Sequence, residues 1–294
     1  MLHLEIAVAP EQVRTLADLN LLEARIGFDK GAVLSRFPAK WYAHVSRNLA
    51  DQGGHVDRVT EKLRRIKDSR LVGFGRAFDG DNWGAAAQRS HQERPFHRVI
   101  DGVSDERPYF INDLQLMGDV DFQFQTQYPK DAHSLAKAAR ALLTDAEKVT
   151  LFDNFICPTR AGCVKTMTEM MHLCTKAEVE FHVFAEEDKK PLRRQRDKAL
   201  DDLKARLPAH IKLYWYWLDD NGSGYLHQRG LFTAKGGLIY DRGFEEPNDR
   251  LQRQALTDIT PMPQRGLEAK ARDFNPAQLG PELALVGIPW KSHP

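Results

Sequence analysis

The chain has no apolar run long enough to cross a bilayer and no apolar stretch of signal type near its start, so a soluble, cytoplasmic protein is expected. It also lacks a charge excess. Its 294 residues carry 42 Lys and Arg against 41 Asp and Glu, which excludes a basic coat that grips nucleic acid over the whole surface. Any contact with a polyanion has to be local. Cysteine is scarce, and Cys157, Cys163 and Cys174 all fall in one segment. An odd number of cysteines without a secretory leader reads as reduced thiols. Their spacing with His172 and His182 fits no zinc pattern, so they are read as packing residues, and no metal or cofactor is expected.

What is present is enough length for two structural units and clear apolar periodicity. Residues 1–130 read as a helical or α+β unit. Val13, Leu16, Leu19, Leu22 and Ile26 recur at helical spacing over residues 11–26. Residues 41–49 form a second expected helix, and Val56, Val59, Leu63 and Ile66 line one side of a third. Strand character follows over 71–78, then a turn at Asp79-Gly80-Asp81, a helix over 83–92 and a strand over 95–100.

Residues 131–255 alternate strands with helices, the pattern of an α/β fold with a mixed, largely parallel sheet. Strands are expected over 147–156, 179–184 and 211–217, and helices over 160–175 and 191–207. The first of these strands ends in a polar-aromatic corner, Asp153-Asn154-Phe155. The last, Tyr214-Trp215-Tyr216-Trp217, turns two tyrosines to one face and two tryptophans to the other. One of those faces is core, and the other is a candidate platform for stacked bases or an edge that packs. Residues 256–294 are punctuated by proline and read as an extended arm that docks a partner through Leu283, Leu285, Ile288 and Trp290.

The most informative stretch is Tyr225-Leu226-His227-Gln228-Arg229-Gly230-Leu231-Phe232-Thr233, followed by Ala234-Lys235-Gly236-Gly237 and then Leu238-Ile239-Tyr240-Asp241-Arg242-Gly243. It reads as two short strands around a glycine-containing turn, with His227 and Arg229 on one strand face. A guanidinium offers a rigid fork of charged donors, and an imidazole adds a further donor or a nucleophile, so the pair suits a phosphate. The plainer alternative is that both side chains are solvated or paired with carboxylates.

With Phe152-Asp153-Asn154-Phe155 upstream and Gly237-Leu238-Ile239 running into Asp241-Arg242-Gly243-Phe244, this arrangement resembles the phospholipase-D-like domain at the C-terminus of MIT-domain (microtubule-interacting-and-trafficking) proteins and its bacterial relatives. The resemblance covers roughly residues 140–250. It implies a phospholipase-D-like sandwich in which a His-x-Arg strand and an Arg-Gly pair face phosphate. Active phospholipase D enzymes carry His-x-Lys-x4-Asp, usually twice, with one histidine attacking phosphorus and the other protonating the leaving group. Here Arg229 stands at the lysine position and Ala234 at the aspartate position, and no His-x-Lys occurs in the first 130 residues. Nothing in the motif then orients the histidine as a base or nucleophile. The implied module is degenerate: it binds phosphate without chemistry, within an assembly of protein partners or of its own copies.

The expected phosphate contacts are His227, Arg229 and Arg242, with longer-range attraction from the basic cluster of Lys189, Lys190, Arg193, Arg194 and Arg196. Such a charge run is also commonly a solvated helix face. The resemblance brings two ligand classes, acidic phospholipid headgroups and, for the bacterial relatives in antiviral defence systems, nucleic acid; the second is preferred. The alternatives are a metal-independent phosphodiesterase or nuclease that uses His227 as its catalytic residue in a dimer, an acidic-membrane binder, and a structural scaffold.

Overall fold

The computed structural model describes residues 2–50, 56–80, 82–103, 107–188 and 190–293, and the chain divides into two compact units at residues 124 and 125. The boundary lies a few residues before the expected one, because residues 127–129 already pair with the sheet of the second unit.

The first unit is α/β. Its elements are β1 (Leu4–Val8), α1 (Leu16–Arg25), β2 (Ala32–Ser35), α2 (Trp41–Asn48), α3 (Val56–Ser69), β3 (Leu71–Val72), α4 (Trp83–Glu93), β4 (Arg98–Ile100) and β5 (Phe110–Ile111). All its strand pairs are parallel, in the order β3-β2-β1-β4-β5, so the chain steps outward from β1 and then crosses back to its other side. The helical or α+β expectation is corrected here. Strands β1 and β2 escaped the pattern because each is short, and because β1 carries Glu5 in a run of five buried residues. The expected helix over 11–26 begins only at Leu16, behind a reciprocal cap in which Thr15 Oγ1 accepts from the Asp18 amide and the Asp18 carboxylate accepts from the Thr15 amide. The expected strand over 71–78 is cut to two residues, and of the turn at 79–81, Asp81 lies outside the described residues.

Glu5 is buried because Arg76 meets it with two nitrogens, Nε at 2.7 Å from one carboxylate oxygen and a terminal nitrogen at 2.8 Å from the other. The Ser35 hydroxyl donates to the same carboxylate, and the remaining Arg76 donors reach the Ser90 hydroxyl and the Ser90 and Arg94 carbonyls. The guanidinium also lies 3.6 Å from the centroid of the Phe96 ring. One ion pair thereby joins β1, β2, α4 and the segment after β3.

The second unit contains β6 (Gln127–Pro129), α5 (Ala132–Ala138), α6 (Arg140–Leu143), β7 (Lys148–Asp153), α7 (Ala161–His172), β8 (Val179–Glu186), α8 (Arg193–Lys204), β9 (Ile211–Asp219), β10 (Gly230–Thr233), β11 (Gly236–Tyr240), α9 (Arg250–Gln254), β12 (Leu256–Pro261), α10 (Gln264–Asp273), β13 (Phe274–Asn275), β14 (Gln278–Leu279), β15 (Ala284–Leu285) and β16 (Trp290–Lys291). Its main sheet is mixed. A parallel heart, β7-β8-β9, is continued antiparallel by β10, β11, β12 and β6 on one side and by β15 and β16 on the other. Residues 256–294 are therefore not an extended arm. Strand β12 lies inside the sheet, while β15 and β16 line the outer edge of β9.

The alternation of β7 to β9 sorts their residues cleanly. Phe152, Phe184, Tyr216 and Leu218 share one face and form a core with Leu267 of α10, Phe274 and Leu283. Trp215 and Trp217 occupy the other face, both buried, with the Arg196 guanidinium of α8 4.1 Å from the Trp217 ring. Neither face of β9 is an open stacking platform. His182 is stacked on Tyr214 at 4.5 Å between centroids, hydrogen-bonded to the Tyr216 hydroxyl at 3.0 Å and within 3.2 Å of the Glu180 carboxylate.

Two predictions follow from these buried charges. Glu5→Ala leaves Arg76 buried without its counter-ion, and chemical denaturation should show a loss of about 3–5 kcal/mol. The joint replacement Glu5→Leu/Arg76→Met should recover most of that loss. Burial lowers the pKa of His182 from 6.5 to about 4, against the opposing pull of Glu180. The unfolded chain takes up this proton near 6.5, and the folded chain refuses it until about 4. Stability is then lost as pH falls across that window. His182→Phe should flatten the fall in melting temperature between pH 6.5 and 4 relative to the unsubstituted protein.

Candidate functional site

In this sheet one edge gathers the loops that follow β7, β8, β9 and β11 with the segment that precedes β10. Strand β10 runs antiparallel to β7 with Gly230 opposite Phe152, and Arg229 just before it accepts from the Tyr240 amide at the end of β11. The carboxyl ends of parallel strands are where α/β sheets commonly receive ligands, because loops and unspent backbone donors meet there.

Asp153, the last residue of β7, organises the edge. Its carboxylate is buried and accepts from the Phe155 amide at 2.7 Å and the Phe244 amide at 3.3 Å, while the Arg229 Nε lies 3.9 Å away. Gly243 makes that closeness possible. Its φ is +68°, and a side chain there would begin 2.5 Å from the Asp153 carboxylate and 3.0 Å from the Arg229 stem. Arg229 also donates to the Asp241 carbonyl at 2.8 Å and to the Asn154 side chain at 3.4 Å. Lys190 donates to the Asn154 carbonyl. The Phe155 ring lies close to both cations, its centroid 4.8 Å from the Arg229 guanidinium and 5.9 Å from the Lys190 nitrogen.

Three titratable groups at this edge are displaced from their usual ranges. Burial pushes the Asp153 carboxyl up, more than the Phe155 amide, Arg229, the Phe244 amide and Lys190 pull it down. Burial also pushes Glu186 up, helped by Asp220 and opposed by Lys190 and His227. It pulls the Lys190 ammonium down, against Cys157, Asp153 and Glu186. Such displacements in one place mark a candidate site. A cavity of about 580 Å³ between α7 and α8 is lined by Lys165, His172, Lys198 and Arg206, among others, and holds neither Arg229 nor Lys190.

The predicted residues are only partly assembled. His227 and Arg229 do not share a strand face, because β10 begins at Gly230 and His227 ends a single 3-10 turn, residues Tyr225–His227. Buried Asp220 sets that turn by accepting from the Gly222 and Leu226 amides. His227 is exposed, and among the described residues no carboxylate is hydrogen-bonded to its ring. Arg242 is exposed and paired with Asp241 at 3.1 Å. Arg196 is corrected from phosphate contact to structural ion pair: its side chain is 4 % exposed and both terminal nitrogens are held by Glu187. Arg193 lies 3.6 Å from Asp197, Arg194 is exposed at the start of α8, and Lys189 lies outside the described residues.

Asp153, Asn154, Phe155, Glu186 and Asp220 are not among the phosphate contacts expected from the sequence. The usable signal was position, since Asp153, Glu186 and Asp220 each stand at or just after the end of a central strand. The three cysteines are buried and unpaired, and burial raises Cys163 and Cys174 to about 12, which keeps both as packing thiols. No family model matches this chain, and no curated protein matches it significantly.

Removing the organising carboxylate tests the geometry. Asp153→Ala strands a buried amide, that of Phe244, and a part-buried one, that of Phe155, and the second unit should lose about 2–4 kcal/mol in chemical denaturation.

Proposed function

We propose that the second unit is a degenerate phospholipase-D-like module that binds the phosphates of nucleic acid without cleaving them. The observation that carries this reading is the convergence of Arg229 and Lys190, with three displaced titratable groups, at the carboxyl end of β7. Arg229 supplies a fork held in place by Asp153, Asn154 and the Asp241 carbonyl; Lys190 supplies a point charge. His227 and Arg242, both exposed near the same loops, extend the contact outward. Catalysis has less support: a nucleophilic histidine needs a partner that fixes its tautomer, and Asp153 is spent on backbone amides and Arg229. A flat anionic membrane has less support as well, since Asp241 and Glu245 stand at the rim beside Arg242 and Arg160. No described helix is long and apolar enough to cross a membrane, and the buried unpaired cysteines support a reducing, cytoplasmic setting. Action within an assembly, in antiviral defence, rests on the resemblance in residues 140–250 alone.

The test is a salt titration of binding to labelled DNA and RNA and to acidic liposomes, with EDTA present and cleavage scored. Binding to nucleic acid should weaken with salt, Arg229→Ala should abolish most of it, and Lys190→Ala should reduce the salt slope by about 1. Cleavage lost in His227→Ala would replace this reading by the phosphodiesterase one. Binding to liposomes alone would replace it by membrane recruitment.

A further inference from the structure

Aromatic side chains in the second unit are almost all covered. Trp215 is fully buried, Tyr216 and Trp217 are 6 % exposed, and Phe152, Phe184 and Phe274 are in the core. Phe155 departs from this pattern at 48 % exposed, and no other aromatic among the described residues of this unit falls in the exposed class. An exposed phenylalanine gains nothing from water and is normally drawn inward. Here the backbone that carries it is pinned: Asp153 accepts from its amide at 2.7 Å, and the preceding carbonyl, that of Asn154, is held by Lys190. The ring is a half-open plane on a pinned stretch of backbone, and it sits within 6 Å of two cations at the candidate phosphate site.

A plane beside charges is the combination that single-stranded nucleic acid requires, since each nucleotide pairs an anionic phosphate with a flat base a few ångströms away. A duplex keeps its bases stacked inside and offers such a ring nothing. Inorganic phosphate or a lipid headgroup would use Arg229 and Lys190 and leave the ring idle. The expected platform on β9 is closed on both faces, which leaves Phe155 as the stacking surface of this edge.

We propose that the ligand is a single-stranded nucleic acid, one base of which stacks on Phe155 while Arg229 and Lys190 hold the adjoining phosphates. This rests on the phosphate-binding reading and adds the class of polymer to it. Single-strand selectivity then comes from the ring and affinity from the cations, so the two separate on mutation.

The experiment uses the full chain and fluorescence anisotropy on a labelled oligothymidine, an abasic strand of equal length, a duplex, and phosphatidylserine vesicles. The unsubstituted protein should bind the oligothymidine about tenfold more tightly than the abasic strand or the duplex, as expected for one stacked base. Phe155→Leu should lower oligothymidine affinity about tenfold and leave the abasic strand unaffected, and Phe155→Trp should restore the preference. Circular dichroism checks that each variant is folded. Equal binding of all three nucleic acids, or a Phe155→Leu effect no larger on oligothymidine than on the abasic strand, overturns the stacking proposal while leaving phosphate binding intact. If Arg229→Ala also leaves every affinity unchanged, or if vesicles alone are bound, the phosphate-binding reading fails with it.

Discussion

A single buried carboxylate fixes the geometry of the second unit's active-looking edge. Asp153 is the last residue of a central strand, and through it the turn after β7, the turn after β11 and the residue before β10 are tied together. Without it two of these segments would carry an unpaired amide, and Arg229 would lose its carboxylate partner. The same carboxylate explains the local sequence. A glycine with positive φ is required at 243 because no Cβ fits against the carboxylate, and the following Phe244 is buried to seat its amide. Arg229 is thereby part of the fold as well as the site, which is why its fork is already oriented before any ligand arrives.

The first unit uses the same physics for a different end. Its Glu5–Arg76 pair has every polar atom engaged by a hydroxyl, a carbonyl or its partner, so the desolvation of two charges is repaid by complete hydrogen bonding. Nothing about that pair faces a ligand. It ties β1 to the segment after β3, a structural use of buried charge that contrasts with the partly open edge around Asp153.

Legibility from sequence followed residue pattern closely. The helices over 41–48, 56–69 and 83–93 and the strands β7, β8 and β9 were legible from local composition and the spacing of their apolar residues. Strand β1 did not, since a single charged residue breaks its apolar run and only the distant Arg76 makes that residue tolerable. The tail was misjudged for a related reason. Its last four strands are two residues long, and the pairing of β15 and β16 with β9 is set by the backbone edge they find, about 70 residues upstream. At the site, chemistry was legible residue by residue, but facing was not: Arg229 was expected to work with His227, and it lies against Asp153, Asn154 and Phe155 because a three-residue 3-10 turn takes the start of the expected strand.

The late pairing of β15 and β16 bears on how the unit is made. Strand β9 is complete once residue 219 has left the ribosome, yet its outer edge stays bare until residues 284–291 emerge and dock on it. During that interval a nine-residue strand rich in aromatic side chains presents unpaired donors and acceptors to its surroundings. Synthesis at 5–20 residues per second makes that interval several seconds long. The edge protector is thus made well after the strand it covers, and a product cut short between β12 and β15 would leave that edge open to other chains.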